Sequence, residues 1–181
     1  MSKSNSGRKF HGPFQKPIVL VGLMGAGKTS IGRKLAERMQ VSFVDADHEI
    51  EKAAGCTITE FFEKFGEKEF RRGEKRVIER LLKSWPCILA TGGGAFIDPE
   101  TRATIKNTAV SIWLNADLDT LDHRLARRSG RPLLQTKNPR ATLQSLMEKR
   151  YPIYAEADMT VDTINGSIDV TVDKVLSLIH I

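Results

Sequence analysis

The sequence has only two cysteines, Cys56 and Cys87, 31 positions apart. They form no CxxC pair and have no clustered histidines beside them, so neither a disulfide framework nor a zinc site has the ligands it needs. A reducing, cytoplasmic compartment is the expectation. No apolar run approaches the roughly 18 residues of a spanning helix, and the N-terminus lacks the apolar core of a secretion signal. A soluble protein with no membrane partner is therefore expected. Internal repeats and low-complexity segments are also missing. With 40% hydrophobic and 28% charged residues, the composition excludes disorder throughout, collagen and a coiled coil. What remains is a globular domain, and 181 residues are enough for one that buries its own core.

The formal net charge of +6 raises the question of a nucleic-acid partner. Its position along the chain answers it. Residues 1–16 hold Lys3, Arg8, Lys9 and Lys16 and no acid, while the rest of the chain has 24 basic against 22 acidic residues. This Ser/Gly/Lys-rich stretch has only Phe10 and Phe14 as large apolar residues after Met1. Residues 1–16 thus read as a disordered basic tail, and no nucleic-acid partner is expected.

From Pro17 onward, short apolar runs alternate with helical periods, the punctuation of βαβ units. Strands are predicted over 18–21, 41–45, 87–91, 110–114 and 159–161, each short and apolar like a buried parallel strand. Helices are predicted over 28–39, 67–82, 117–127, 139–150 and 167–178. In the first, Ile31, Leu35 and Met39 recur at i, i+4, i+8; in the second, Phe70, Val77, Ile78, Leu81 and Leu82 make one stripe. Two segments interrupt the alternation. Residues 46–66 exceed a usual βα loop, and residues 128–138 form a basic stretch with Gly and Pro; both are candidates to cover a ligand.

The first strand runs into Gly22-Leu23-Met24-Gly25-Ala26-Gly27-Lys28-Thr29, which satisfies GxxxxGK[ST] between a strand and a helix. Glycines let successive backbone N–H groups converge on a β-phosphate, the helix adds its positive end, and Lys28 reaches the β- and γ-phosphates. Thr29 can hold Mg²⁺ through its hydroxyl. The second strand ends in Asp45-Ala46-Asp47, two carboxylates that alternation places on one side, at the strand end where open α/β sheets bind ligands. One acid can orient the Mg²⁺ shell while the other contacts an acceptor hydroxyl. The third strand ends in Gly92-Gly93-Gly94, a run without side chains that suits close approach of a ligand to the main chain. Arg71, with Glu74 one turn on, Arg131 beside Pro132, and Arg150 before Tyr151 and Pro152 supply forks for anionic groups.

Taken together, GLMGAGKT, FVDAD, EFRRGE, TGGGA, RPLL and KRYPIY resemble the shikimate kinase family, in order and spacing, across about residues 17–180. The resemblance implies an α/β, P-loop NTPase fold of the nucleoside-monophosphate-kinase type, with a five-stranded parallel sheet flanked by helices and a lid. It implies one kinase domain over 17–181, in which 46–76 is the substrate-binding insertion and 128–138 the lid. The implied activity is ATP-dependent phosphorylation of the shikimate 3-hydroxyl in aromatic amino acid (chorismate) biosynthesis, by direct in-line transfer. Carried over residue by residue, it puts Asp47, Arg71, Gly93 and Arg150 on shikimate, the arginines on its carboxylate and Asp47 on its hydroxyls. Gly25, Ala26, Gly27, Lys28, Thr29 and Ser30 would wrap the ATP phosphates, and Thr29 would bind Mg²⁺ with Asp45 behind it. Arg131 would swing in with the lid; Lys28, Asp47 and Arg131 would carry catalysis, with a proton-accepting role for Asp47 left open. Adenine would be met by Arg127 or Arg128 and by residues 163–166. A monomer is expected, with ATP and shikimate as its small-molecule partners.

Two other readings remain. A small kinase of the same build acting on a nucleoside monophosphate or gluconate is argued against by EFRRGE and RPLL. A nucleotide-gated binding protein without transfer would have lost Asp47, Arg71 or Arg150, and all three are present. His48 reads as a surface residue at a helix start, Cys56 and Cys87 as packing residues, Trp113 as core and Trp85 as loop.

Overall fold

The computed structural model describes residues 16–83, 87–126, 138–163 and 167–179. The tail 1–15, Trp85, Arg127, Arg128, the expected lid up to residue 137 including Arg131, and residues 164–166 lie outside them. Five strands, β1 (Ile18–Val21), β2 (Ser42–Asp45), β3 (Cys87–Ala90), β4 (Val110–Asn115) and β5 (Met159–Asp162), form one parallel sheet in the order β2-β3-β1-β4-β5. The central β1 is covered on both faces, with Val19, Leu20 and Val21 fully buried, which is why it reads as an unbroken apolar run rather than an alternation.

Seven helices are described: α1 (Lys28–Met39), α2 (Ala46–Ala54), α3 (Ile58–Leu81), α4 (Pro99–Thr108), α5 (Leu118–Ala126), α6 (Pro139–Tyr154) and α7 (Ile168–Ile179). On α1, a β-carbon at Gly32 would lie 2.6 Å from the Phe43 ring and 3.1 Å from Leu20, so the missing side chain sets how closely this helix lies on the sheet.

The insertion 46–66 is helical. Asp45 caps α2 by accepting from the Asp47 N–H at 3.1 Å, and a Thr57–Glu60 capping box starts α3. Gly66, at φ 77 and ψ 176, breaks α3 in two. The predicted start at residue 67 is thus the second segment; the first carries its own stripe, Ile58, Phe61, Phe62 and Phe65 at i, i+3, i+4 and i+7, which the reading of 46–66 as an extended insertion passed over. The sequence pass also misses α4, although Asp98 and Pro99 are a cap and a first-turn proline; its Asp98 carboxylate accepts from Thr101 N–H at 2.8 Å.

Two helix ends differ for opposite reasons. Asp117 lies outside α5 and caps it, accepting from Thr120 N–H at 2.7 Å. The predicted end of α6 at Arg150, set by Pro152, is overrun as far as Tyr154. Tertiary packing outweighs the proline here: the Tyr151 ring meets Trp113 edge-on at 5.0 Å, and Tyr154 is fully buried. Trp113 and Cys87 belong to the core, Cys56 is half-buried, and His48 is exposed on α2.

The chain switches from the β3 side of β1 to its β4 side, so a crevice opens at the carboxyl ends of β1 and β3. The glycine loop after β1, the aspartates after β2 and the three glycines after β3 all emerge there.

Candidate active site

The loop between β1 and α1 takes its shape from Gly22, Gly25 and Gly27, all at positive φ (137, 84 and 96). Side chains other than hydrogen resist these conformations. Lys28 folds back over the loop, donating to the carbonyls of Gly22 at 2.7 Å and Leu23 at 2.9 Å. On the outside of the loop, Arg124 from α5 donates to the carbonyls of Gly25 and Ala26, both at 3.3 Å, and to Thr163 Oγ1 at 3.5 Å. Leu125 packs against Gly25 from the same helix. The cradle is therefore held from within by a lysine and from behind by an arginine.

Thr29, in the first turn of α1, donates its hydroxyl to Asp45 Oδ2 at 3.0 Å. Asp45 thus serves the cradle with one carboxylate oxygen and caps α2 with the other. That cap orients the start of α2 and with it Asp47, whose Oδ1 lies 2.7 Å from where a β-carbon at Gly92 would be. Lys28, Thr29, Ser30, both aspartates and Gly92–Gly93 line one open cleft.

Each of the three consecutive glycines is faced by a different polar side chain. Asp47 lies on Gly92. A β-carbon on Gly93 would be 3.5 Å from Arg150 Nη1, and one on Gly94 only 2.2 Å from Arg71 Nη2. Any side chain at Gly94 would displace the Arg71 guanidinium. Helices α2, α3 and α6 thereby bring one acid and two bases onto a single strip of bare main chain.

Arg71 is fixed before any ligand arrives. It pairs with Glu74 at 2.5 Å and Glu67 at 3.4 Å, and its guanidinium stands 5.2 Å over the Phe70 ring. Glu74 is 1% exposed. Burial pushes its carboxyl above the usual glutamate range, and Asp47 and Asp98 add to this, although Arg71 pulls the other way. Burial works against the Arg71 charge, but Glu74 and Glu67 together outweigh it and hold the guanidinium above its ordinary value. At the far side of the strip, Tyr154 donates its hydroxyl to the Gly93 carbonyl. Burial, opposed by Arg150, pushes the Tyr154 phenol up to about 12, so it remains a neutral donor.

The sequence-predicted residues Gly25, Ala26, Gly27, Lys28, Thr29, Ser30, Asp45, Asp47, Arg71, Gly93 and Arg150 thus meet around one crevice. Arg131 and the adenine candidates Arg127 and Arg128 lie outside the described residues; Thr163 is described and is bonded to Arg124. Sequence reasoning missed Arg124, a lone arginine on a helix with no motif around it. It missed Tyr154 because Pro152 appeared to end the helix first. Gly92 and Gly94 were legible as part of the triplet, but nothing in the sequence says which side chain each one receives.

Among the described residues, no group of three or more His, Cys, Asp or Glu could hold a metal ion alone. The donor set does fit a magnesium that arrives with phosphates. Such an ion takes one or two protein oxygens and fills its octahedron with phosphate and water, and the adjacent Thr29 hydroxyl and Asp45 carboxylate supply hard oxygens beside the cradle.

The shikimate kinase family model matches residues 24–180. A shikimate kinase of Paramagnetospirillum magneticum is 52% identical over 91% of this chain and 85% of its own length. One from Bradyrhizobium diazoefficiens is 55% identical over 89% of this chain and 76% of its own. Among solved structures, the shikimate kinase from Acinetobacter baumannii in complex with shikimate superposes with a TM-score of 0.86 at 41% identity, covering 91% of this chain and 92% of that one. A gluconokinase from Sinorhizobium meliloti shares only the fold, with a TM-score of 0.62 at 20% identity.

Proposed function

The chain belongs to the shikimate kinase family, and from that premise we propose how its residues divide the work of moving the ATP γ-phosphate onto the 3-hydroxyl of shikimate. It is a kinase of aromatic biosynthesis, and its substrates are small molecules. Among the described residues no helix is long and apolar enough to cross a membrane.

The observation that carries the division of roles is the glycine strip. Asp47, Arg150 and Arg71 converge on Gly92, Gly93 and Gly94 beside the phosphate cradle. Two guanidiniums against bare main chain suit a carboxylate read by forks, and a carboxylate side chain nearer the cradle suits hydroxyls. Shikimate lies along the strip with its carboxylate between Arg71 and Arg150 and its 3-hydroxyl toward Asp47.

The amides of Gly25, Ala26, Gly27, Lys28, Thr29 and Ser30 wrap the phosphates of ATP. Lys28 releases the loop carbonyls and turns its ammonium to the β- and γ-phosphates. Thr29 holds Mg²⁺, with Asp45 fixing the hydroxyl behind it; when bound, the ion neutralises charge on the phosphate oxygens. Transfer is direct and in line, because positioning and charge neutralisation supply most of the rate in phosphoryl transfer. Asp47 orients the acceptor oxygen. Arg131, carried by the segment 128–138, completes the charge neutralisation over the β- and γ-phosphates and helps exclude water. The protein acts as a monomer in the cytoplasm.

The test is ADP release with MgATP and either shikimate, gluconate, AMP, CMP or no acceptor, run in parallel. Shikimate is expected to exceed each of the others by on the order of 10,000-fold, the discrimination available when buried polar groups are left unpaired by a wrong ligand. Equal or greater turnover with gluconate or a nucleotide overturns the assignment of the strip.

A further inference from the structure

Tyr154 lies one helical turn beyond Arg150, so the two side chains share a face of α6. Its hydroxyl donates to the Gly93 carbonyl, and the Arg150 charge acts on the same phenol. The same glycine receives the Arg150 guanidinium, which would stand 3.5 Å from a β-carbon there. Ring position is fixed independently, since Tyr154 is fully buried and packs against Trp113 at 6.1 Å and Tyr151 at 6.3 Å. A single oxygen therefore joins the helix that carries one substrate arginine to the main chain that the substrate must approach.

We propose that Tyr154 is a positioning residue for the acceptor, holding Arg150 and the Gly93–Gly94 peptide in one fixed arrangement. This rests on the reading of Arg150 as a carboxylate ligand. The peptide plane is rigid, so anchoring the Gly93 carbonyl also fixes the orientation of Gly94. Gly94 is the glycine covered by Arg71. The hydroxyl thus sets the distance between the two guanidiniums as well as the aim of one of them. Leaving either loose would cost order when shikimate binds, and the loss would fall on the acid and not on the nucleotide.

The test is a double-mutant cycle of Tyr154→Phe and Arg150→Ala, with KM for shikimate, KM for MgATP, kcat and Tm measured for all four proteins. Tyr154→Phe deletes one oxygen and keeps the ring. We expect a rise of about 3- to 10-fold in KM for shikimate, the scale of one hydrogen bond between neutral groups. KM for MgATP should stay within about twofold, and kcat should fall less than KM rises. In the Arg150→Ala background the same change should add less than about twofold. A parallel rise in both KM values, full multiplication of the two single effects, or a lower Tm with KM for shikimate unchanged overturns the proposal. If Arg150→Ala alone leaves KM for shikimate unaltered, the carboxylate role of Arg150 fails, and this inference falls with it. A normal KM in Tyr154→Phe beside a damaged Arg150→Ala sinks only the inference.

Discussion

The two ends of the crevice are built in opposite ways. The end we propose for the phosphates is a run of eight consecutive residues, 22–29, whose working parts are backbone N–H groups, one ammonium and one hydroxyl. The end we propose for the acceptor gathers Asp47, Arg71, Gly92, Gly93, Gly94 and Arg150 from four stretches of chain, and its working parts are side chains laid on a strip that has none. A local backbone device recognises what all nucleotides share. Recognition of one small acid needs charges at spacings that only the assembled fold provides. The first should fail through loss of one group, and the second by graded loosening of several.

The sharpest test of that contrast is at the phosphate end. Lys28→Met removes the only lysine of the cradle while keeping a side chain of similar length. Turnover should drop by on the order of 1,000-fold, as when a transition-state charge donor is removed. The Lys28 ammonium is part-buried and bonds to the loop carbonyls of Gly22 and Leu23 rather than to the core, so Tm should stay within about 3 °C. Binding of shikimate alone, followed by calorimetry, should survive. Normal turnover, or loss of shikimate binding, would erase the distinction between the two ends.

How much of each end was legible follows from the same difference. The glycine loop, the strand before it and α1 are encoded by contiguous spacing, and β1 and α1 appear at their predicted bounds. Asp45 and Asp47 were legible as a pair, and the family resemblance set Asp45 behind Thr29 and Asp47 toward the acceptor; the cap that Asp45 places on α2 was not legible, because it depends on how α2 leaves the sheet. The glycine triplet signalled close approach without naming what approaches. The partners of its three members come from positions 47, 71 and 150, separations that no local pattern encodes. Tyr154 lay behind a proline that would ordinarily stop a helix, and the aromatic packing that overrides it is tertiary. Contiguous chemistry could be read directly; assembled chemistry needed the fold.

At the acceptor end the largest effect is expected from Arg71→Ala. Losing one fork on a carboxylate should raise KM for shikimate roughly 10- to 100-fold, with KM for MgATP nearly unchanged. Tm should fall as well, since the Glu74 carboxylate would be stranded in the core without its partner. The double variant Arg71→Ala, Glu74→Gln separates the two effects: stability should largely return, and affinity for the acid should not. Equal losses for both substrates would mean that the two ends are coupled rather than separate.

The smallest and most specific effect concerns Glu74 itself. Its folded-state carboxyl titrates above the ordinary glutamate value of 4.5, chiefly through burial. For a raised carboxyl, the folded protein binds the proton more tightly than the unfolded chain. The associated stability is complete below pH 4.5 and is lost as pH rises through the folded value. At neutral pH the ionised side chain therefore costs stability, and what it provides in return is a fixed Arg71. Glu74→Gln, neutral at every pH and nearly the same shape, removes that titration. The difference in Tm, variant minus wild type, should become more positive as pH is raised from about 4.5 toward neutrality, whatever its sign at the start. KM for shikimate should rise several-fold at the same time, because Arg71 keeps only its 3.4 Å pair with Glu67. A Tm difference that does not change with pH would remove the stability cost assigned to the buried carboxylate. An unchanged KM would mean that the acceptor end holds its arginine by packing on Phe70 and Gly94 alone, and would make it nearer in kind to the phosphate end than its scattered residues suggest.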